Sequence, residues 1–414
     1  MRRAMRLPQQ YKRRLLIFLS IMGPGIITAS VDQDAGGIAT YSLAGAKYGY
    51  SLLWALFFTG ISLAVVQEMG SRMGVVTGKG LGELIRERYG VRAAVSILAI
   101  LVLANLANTI AEFAGAAAAF EIFGIPRFVS VPLTALFVSW LVVQGTYARV
   151  ERVFLIASAL YLLYVISAFL GNPPWGEVLR QTIRPTFQMD RDYLIMLITL
   201  VGTTIAPWMQ FYLQSSIVDK GIRWKDYKYA RLDVIIGAFM ATGVAYFIIV
   251  ACGTALHAKG VPINTAADAA RALEPFGRYS SVLFALALLN ASIFSAAVLP
   301  LSTAYATCEA LGWETGVDRR PKEAPGFFTI YLVMIGIGAL TILWPNIPLI
   351  PIMFFSQTLN GILLPFTLVI VLQLVNDREI MGEAVNTPLL NLIGWGTAFL
   401  MSVLTILLLI TFIL

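Results

Sequence analysis

Eleven apolar stretches decide what this chain can fold into. They lie near residues 15–46, 50–68, 93–121, 126–146, 150–171, 192–218, 233–255, 279–311, 326–344, 348–375 and 389–413. Crossing the hydrocarbon core takes about 20 helical residues, so each stretch is of spanning length. Within lipid every backbone N–H and C=O needs a partner inside the protein, which leaves helices or a closed barrel. Stretches this long are helices. The sequence therefore predicts an all-α polytopic membrane protein with eleven transmembrane helices, and the 58% hydrophobic, 13% charged composition excludes a soluble domain of 414 residues.

The formal charge of +7 is explained by where the cations fall. With the N-terminus inside, 22 of the 30 Lys and Arg lie in cytoplasmic segments, from the basic Met1–Arg14 through Arg72, Lys79, Arg149, Arg152 and Lys220 to Arg378. The outer loops hold Lys47, Arg127, Arg180, Arg184, Arg191, Lys259, Arg271 and Arg278. This bias places the N-terminus in the cytoplasm and the C-terminus outside the cell membrane. The basic balance serves topology and anionic lipid rather than nucleic acid, since no basic-aromatic groove pattern appears. No small-residue cleavage site follows the N-terminus, so no removable signal peptide is expected. Cys252 and Cys308 sit in separate spans and predict no disulfide.

Two of the spans are interrupted. In the first, Ser30-Val31-Asp32-Gln33-Asp34-Ala35-Gly36-Gly37 sets two carboxylates and paired glycines in apolar surroundings. A carboxylate at a membrane-helix centre costs roughly 2.5–3.5 kcal/mol, and the glycines weaken the helix at the same place. In the sixth, Thr203-Thr204-Ile205-Ala206-Pro207 removes a helix donor beside two hydroxyls that can satisfy freed backbone groups. The breaks head two successive groups of five spans. Repeats with an odd number of spans insert with opposite topology, so the pattern predicts an inverted 5+5 repeat with helices 1 and 6 broken. The boundaries are 1–171 and 192–375, with 389–413 as an extra eleventh helix, all in one transmembrane transporter domain (1–414). The binding site is expected where the breaks face each other. Proline and glycine also kink ordinary helices; the carboxylates favour a site.

Other polar residues divide. Glu112 is mid-span, either a protonated carboxyl or part of an ion path. Ser356-Gln357-Thr358-Leu359-Asn360 clusters amides, for interhelical hydrogen bonds or, at Gln357, for a ligand. Asn290 reads as structural and His257, the single histidine, as a surface residue. Near the breaks the donors are carboxylate, hydroxyl, amide and carbonyl, with no Cys or His, a set suited to hard cations such as Mg²⁺, Mn²⁺ or Ca²⁺. No HExxH, GxSxG or P-loop motif is present, and Gly78-Lys79-Gly80-Leu81-Gly82 follows no strand, so an enzyme is not expected.

Met22-Gly23-Pro24-Gly25, Asp34-Ala35-Gly36-Gly37 and Ala44-Gly45-Ala46-Lys47-Tyr48-Gly49-Tyr50-Ser51-Leu52-Leu53-Trp54 resemble the first helix of Nramp divalent-metal transporters. The loop from Ser71 to Lys79 and Arg86-Glu87-Arg88-Tyr89 are similarly close. The resemblance covers nearly the whole chain and implies a leucine-transporter-like fold working by alternating access. It also implies a metal site of Asp34, Gly37, Thr203, Ala206 and Gln357. Where the family has Asp-Pro-Gly-Asn, this chain has Ala35 for the proline and Gly37 for the asparagine. In the family's Ala-x-x-Met-Pro-His, Thr203 takes the alanine position, Ala206 the methionine and Trp208 the histidine. The acidic pair of the third helix becomes Thr109 and Glu112, and the ninth helix lacks the family's arginine. Losing a thioether removes a preference for transition metals, and losing histidine, acid and arginine breaks a proton relay. The set resembles the Nramp-related magnesium transporters. The expectation is a carrier importing Mg²⁺, with Mn²⁺ accepted, as substrate and without a cofactor, proton coupling or an obligate protein partner. Alternatives are a proton-coupled Mn²⁺/Fe²⁺ carrier, a sodium-coupled amino-acid carrier, and a channel or sensor.

Overall fold

A computed structural model describes residues 23–144 and 153–413. The basic N-terminus, residues 15–22 of the first stretch, Arg149 and Arg152 lie outside the described residues. All eleven stretches are helical where described, and no strand occurs among the described residues. The first is split into α1 (Pro24–Val31) and α2 (Ala35–Tyr48). Then come α3 (Leu53–Thr77), α4 (Leu81–Ile122), α5 (Arg127–Val143) and α6 (Val153–Leu170). A short helix α7 (Trp175–Ile183) precedes the second split span, α8 (Arg191–Thr204) and α9 (Pro207–Asp219). The rest are α10 (Tyr227–Ala255), α11 (Ser280–Leu311), α12 (Pro325–Ile342), α13 (Leu349–Val375) and α14 (Pro388–Ile413).

Both breaks follow from local chemistry. Asp34 has extended backbone and N-caps α2, so the carboxylate that is costly inside a helix is favourable at a helix start. Pro207 occupies the first position of α9, where its missing N–H would be unsatisfied anyway. Two further contacts hold the first break in place. Gly25 N at the start of α1 donates to Asp233 of α10 at 2.7 Å, and Ser295 Oγ of α11 donates to the Val31 carbonyl at 3.1 Å.

The packing is reciprocal: α4 lies along α11 and α3 along α10, while α10 covers the first broken span and α3 the second. Where α8 crosses α13, a Cβ on Gly202 would strike the backbone of Gly361, so these two glycines let the helices touch. The site thus lies inside a wall of α4, α8, α11 and α13.

Three local features differ from the sequence reading. α3 continues beyond residue 68 to Thr77 and carries Arg72 into the interior, 5% exposed. The pairing with Glu68 one turn earlier makes that burial tolerable. α4 begins at Leu81 rather than near 93, bending at Gly90 (φ 81°). α7 is an amphipathic helix in what the sequence showed as a loop. Cys252 and Cys308 are free and buried, and His257 is exposed.

Candidate metal-ion site

Asp34 Oδ1 accepts from Gly37 N at 2.5 Å, which satisfies one orphan N–H of α2 and sets a negative charge at the positive end of the helix. Another orphan, Ala35 N, donates to Glu112 Oε2 of α4 at 3.2 Å. Two carboxylates therefore converge on one helix start. From α13, Gln357 Nε2 donates to Asp34 Oδ1 and Oδ2 at 3.3 and 3.2 Å. It reaches them across Gly36, where any Cβ would run into the amide.

Gly37 marks the centre. A Cβ there would lie 3.0 Å from the Asp32 carbonyl oxygen, 3.1 Å from Asp34 Oδ1 and 3.2 Å from Thr203 Oγ1. Three oxygens from both breaks surround one small volume, which a larger side chain would fill. Thr203 Oγ1 and both carboxylate oxygens of Asp32 have no hydrogen-bond partner, although both residues are 2% exposed. Buried oxygens left unmatched are costly unless something positive or hydrogen-bonding joins them. Among the described residues no Lys, Arg or His pairs with Asp32, Asp34 or Glu112.

Ala206 N-caps α9 three residues beyond Thr203, is buried, and brings only a methyl group. Its carbonyl accepts from Gln210 at 2.9 Å once that amide is turned nitrogen toward the backbone. Trp208 is buried beside it, and its carbonyl accepts from Ser302 Oγ at 3.1 Å. Thr204 and Tyr41 share a hydroxyl contact of 2.9 Å that ties α8 to α2. Thr109 turns its hydroxyl to the Asn105 carbonyl at 2.8 Å, away from any acid–base role. Asn290 reaches Tyr161 and Ser158 at 3.4 Å, a link between α11 and α6. Among the described residues no three Cys, His, Asp or Glu converge as in a resident metal centre.

The structure brings together Asp34, Gly37, Thr203 and Gln357, with Ala206 at the adjoining break. It adds Glu112 as a cap of α2 and a pair that sequence reasoning missed in this role, Asn108 of α4 and Asn360 of α13. Their amides bond each other reciprocally at 3.1 and 3.0 Å, and Asn360 Nδ2 donates to Gln357 Oε1 at 2.8 Å. The signal was present: Asn105, Asn108, Thr109 and Glu112 repeat at helical spacing along one face of α4. Asp34, Gln357, Thr203 and Ala206 are at most 3% exposed, so the site is buried in this conformation.

The family model described as natural resistance-associated macrophage protein-like matches residues 25–411. A divalent metal cation transporter MntH of Ralstonia nicotianae is 30% identical over 412 residues, covering 93% of this chain and 89% of that protein. Among solved structures, a manganese transporter of Eremococcus coleocola, crystallised with an aromatic bis-isothiourea substituted compound, superposes with a TM-score of 0.80 at 20% identity. It covers 99% of this chain and 89% of that one. A nucleobase-cation-symport-1 family transporter in a closed conformation gives a TM-score of 0.59 at 16% identity, over 94% of this chain and 90% of that one. These likenesses show the leucine-transporter-like fold, with helices 1 and 6 broken.

Proposed function

The chain belongs to the Nramp family, and from that membership and its altered ligand set we propose a carrier that imports Mg²⁺, with Mn²⁺ also accepted, without proton coupling. The metal is cargo rather than cofactor, and the protein is a multi-pass membrane transporter, not an enzyme. One observation carries the choice of ion. The donors around Gly37 are all oxygens, while Ala206 and Trp208 stand where the family has a thioether and an imidazole. Oxygen donors suit a hard cation, and Mg²⁺ keeps several of its waters, which a methyl at 206 leaves room for. Asp34 with the Asp32 and Gly37 carbonyls, Thr203 and the Ala206 carbonyl form the ligand set, and Gln357 joins directly or through water.

Import needs no proton. Moving two charges inward across about 100 mV, inside negative, releases about 4.6 kcal/mol, roughly a 2,000-fold gradient. Because the site residues are buried, the segments around α1/α2 and α8/α9 must move relative to the α4 and α11 wall to load and release it. We read residues 1–171 and 192–375 as the two inverted repeats and the cation bias as setting the N-terminus in the cytoplasm.

The test is Mg²⁺ uptake by Asp34→Ala protein reconstituted in vesicles. Uptake falling to background is expected; uptake at the wild-type level overturns the site. Trp208→Ala alters the rate without creating proton coupling. The second reading, a proton-coupled Mn²⁺/Fe²⁺ carrier, draws on Glu112, whose Oε1 is buried without a partner.

A further inference from the structure

Gln357 presents the wrong end of its amide for a metal ligand. Its hydrogens face Asp34, and its oxygen, the atom a cation would need, is held by Asn360 Nδ2 at 2.8 Å. Asn360 is itself locked. It pairs with both amide atoms of Asn108 across the α4–α13 contact, and both asparagines are fully buried.

The hydrogen count explains why this orientation holds. In the arrangement seen, both hydrogens of Asn360 Nδ2 are used, on Asn108 Oδ1 and Gln357 Oε1, and Gln357 Nε2 directs a hydrogen to the Asp34 carboxylate, shared between its two oxygens. Rotating Gln357 alone sets its NH₂ against the NH₂ of Asn360. Rotating all three amides together keeps the bonds among them but strands one hydrogen on Asn360 and sets the Gln357 oxygen against the Asp34 carboxylate. Buried amide hydrogens without an acceptor are costly. Asp34 is therefore held by an internal donor placed where positive charge belongs.

We propose that Asn360, held by Asn108, is a positioning residue that keeps the Gln357 amide hydrogens on Asp34, making Gln357 a competitor that an entering cation must displace. This rests on the reading of Asp34 as the metal site. The consequence is a site tuned for release: each cation bound costs the Gln357–Asp34 bonds, and each one released regains them. The hydrogen bonds of the Asn360 side chain among the described residues go to Asn108 and Gln357, so its effect runs through the orientation of that amide.

The test compares wild type, Asn360→Leu and Asp34→Ala by Mg²⁺ titration calorimetry on purified protein and by initial-rate Mg²⁺ influx into vesicles. Leucine is close in volume but cannot donate to Gln357 Oε1, so the amide is free to turn its oxygen inward. The neutral hydrogen bond lost is of the size that gives about three- to tenfold tighter binding. The expected result is a lower Kd and KM together with a lower kcat, because release slows. Weaker or unchanged binding by folded Asn360→Leu overturns the proposal, since a merely structural role lowers kcat without tightening KM. Should Asn360→Leu not fold, Asn108→Leu combined with Asn360→Leu removes both members of the amide pair together, so that no orphan is left at Asn108 and no donor reaches Gln357 Oε1. This double variant must then bind Mg²⁺ more tightly than wild type, and equal or weaker binding overturns the proposal. Asp34→Ala separates the levels. If it binds Mg²⁺ as wild type does, the metal-site reading falls and this inference with it. If it does not bind while Asn360→Leu behaves as wild type, only the inference falls.

Discussion

At the C-terminal end of α3, Glu68 and Arg72 are as buried as the carboxylates of the central break, 4% and 5% exposed. Their charges answer each other. Arg72 Nε donates to Glu68 Oε1 at 3.1 Å, Arg72 Nη1 to the Ala384 carbonyl at 2.6 Å and Nη2 to Asn386 Oδ1, while the Tyr227 hydroxyl donates to Glu68. At the break, Asp34 and Glu112 accept from helix amides and Asp34 from one glutamine, the Asp32 carboxylate has no hydrogen-bond partner, and among the described residues no cationic side chain pairs with any of the three. The first region is a closed network joining α3, α10 and the segment before α14. The second is open in charge, and an open buried charge is one that a mobile cation can close. What separates a structural acid from a transport acid in this chain is the presence or absence of an internal cation, not depth of burial.

Substitutions in the two regions sharpen this contrast. The largest effect is expected from Asp34→Ala, which stops metal flux in reconstituted vesicles while leaving the thermal unfolding midpoint near wild type. An unfolding midpoint that collapses with the flux would place Asp34 in the structural class. Next is Arg72→Met, which leaves Glu68 buried and uncompensated and destabilises the fold by about 3–5 kcal/mol, read as a lowered unfolding midpoint in detergent. Adding Glu68→Gln to Arg72→Met recovers most of that loss, because the orphan charge goes with its partner. Ala206→Met restores a soft ligand and raises Mn²⁺ over Mg²⁺ in competitive uptake by about tenfold, the effect of one metal bond worth about 1.4 kcal/mol. Unchanged selectivity would mean that residue 206 does not face the ion. The smallest effect belongs to the surface. Lys47 and Asp192 meet at 2.6 Å but are 51% and 66% exposed, so Lys47→Ala changes stability by less than about 1 kcal/mol and leaves flux unaltered.

Much of this was legible in the sequence, for definite reasons. Spanning helices follow from apolar length, and both breaks follow from residues that a membrane helix does not tolerate. Asp34 and Pro207 ended up as helix starts, where their chemistry is favourable. Arg72 was read as lying beyond its span because hydropathy falls around Glu68 and Arg72. Only the structure shows the two charges cancelling inside a longer helix. α7 is amphipathic and short, so no hydropathy threshold marks it. The orientation of Gln357 was out of reach for a different reason. It is set by Asn360 on the same helix and by Asn108, 252 residues away in the chain. An amide offers an oxygen and a nitrogen of almost equal size, and only its neighbours decide which one faces the site. Glu112 was visible as a misplaced charge, but its part in capping α2 depends on the packing of α4 against the break.

The proposal that this site moves a hard cation without a proton is tested most directly by one measurement. Purified protein is placed in vesicles carrying an internal pH dye, the membrane potential is clamped inside negative, and Mg²⁺ and Mn²⁺ entry are followed alongside internal pH. Mg²⁺ entry that rises with the potential and leaves the internal pH unchanged is the predicted result. Mn²⁺ entry with internal acidification, and no Mg²⁺ entry, would contradict it and assign the proton to Glu112 and Asp32.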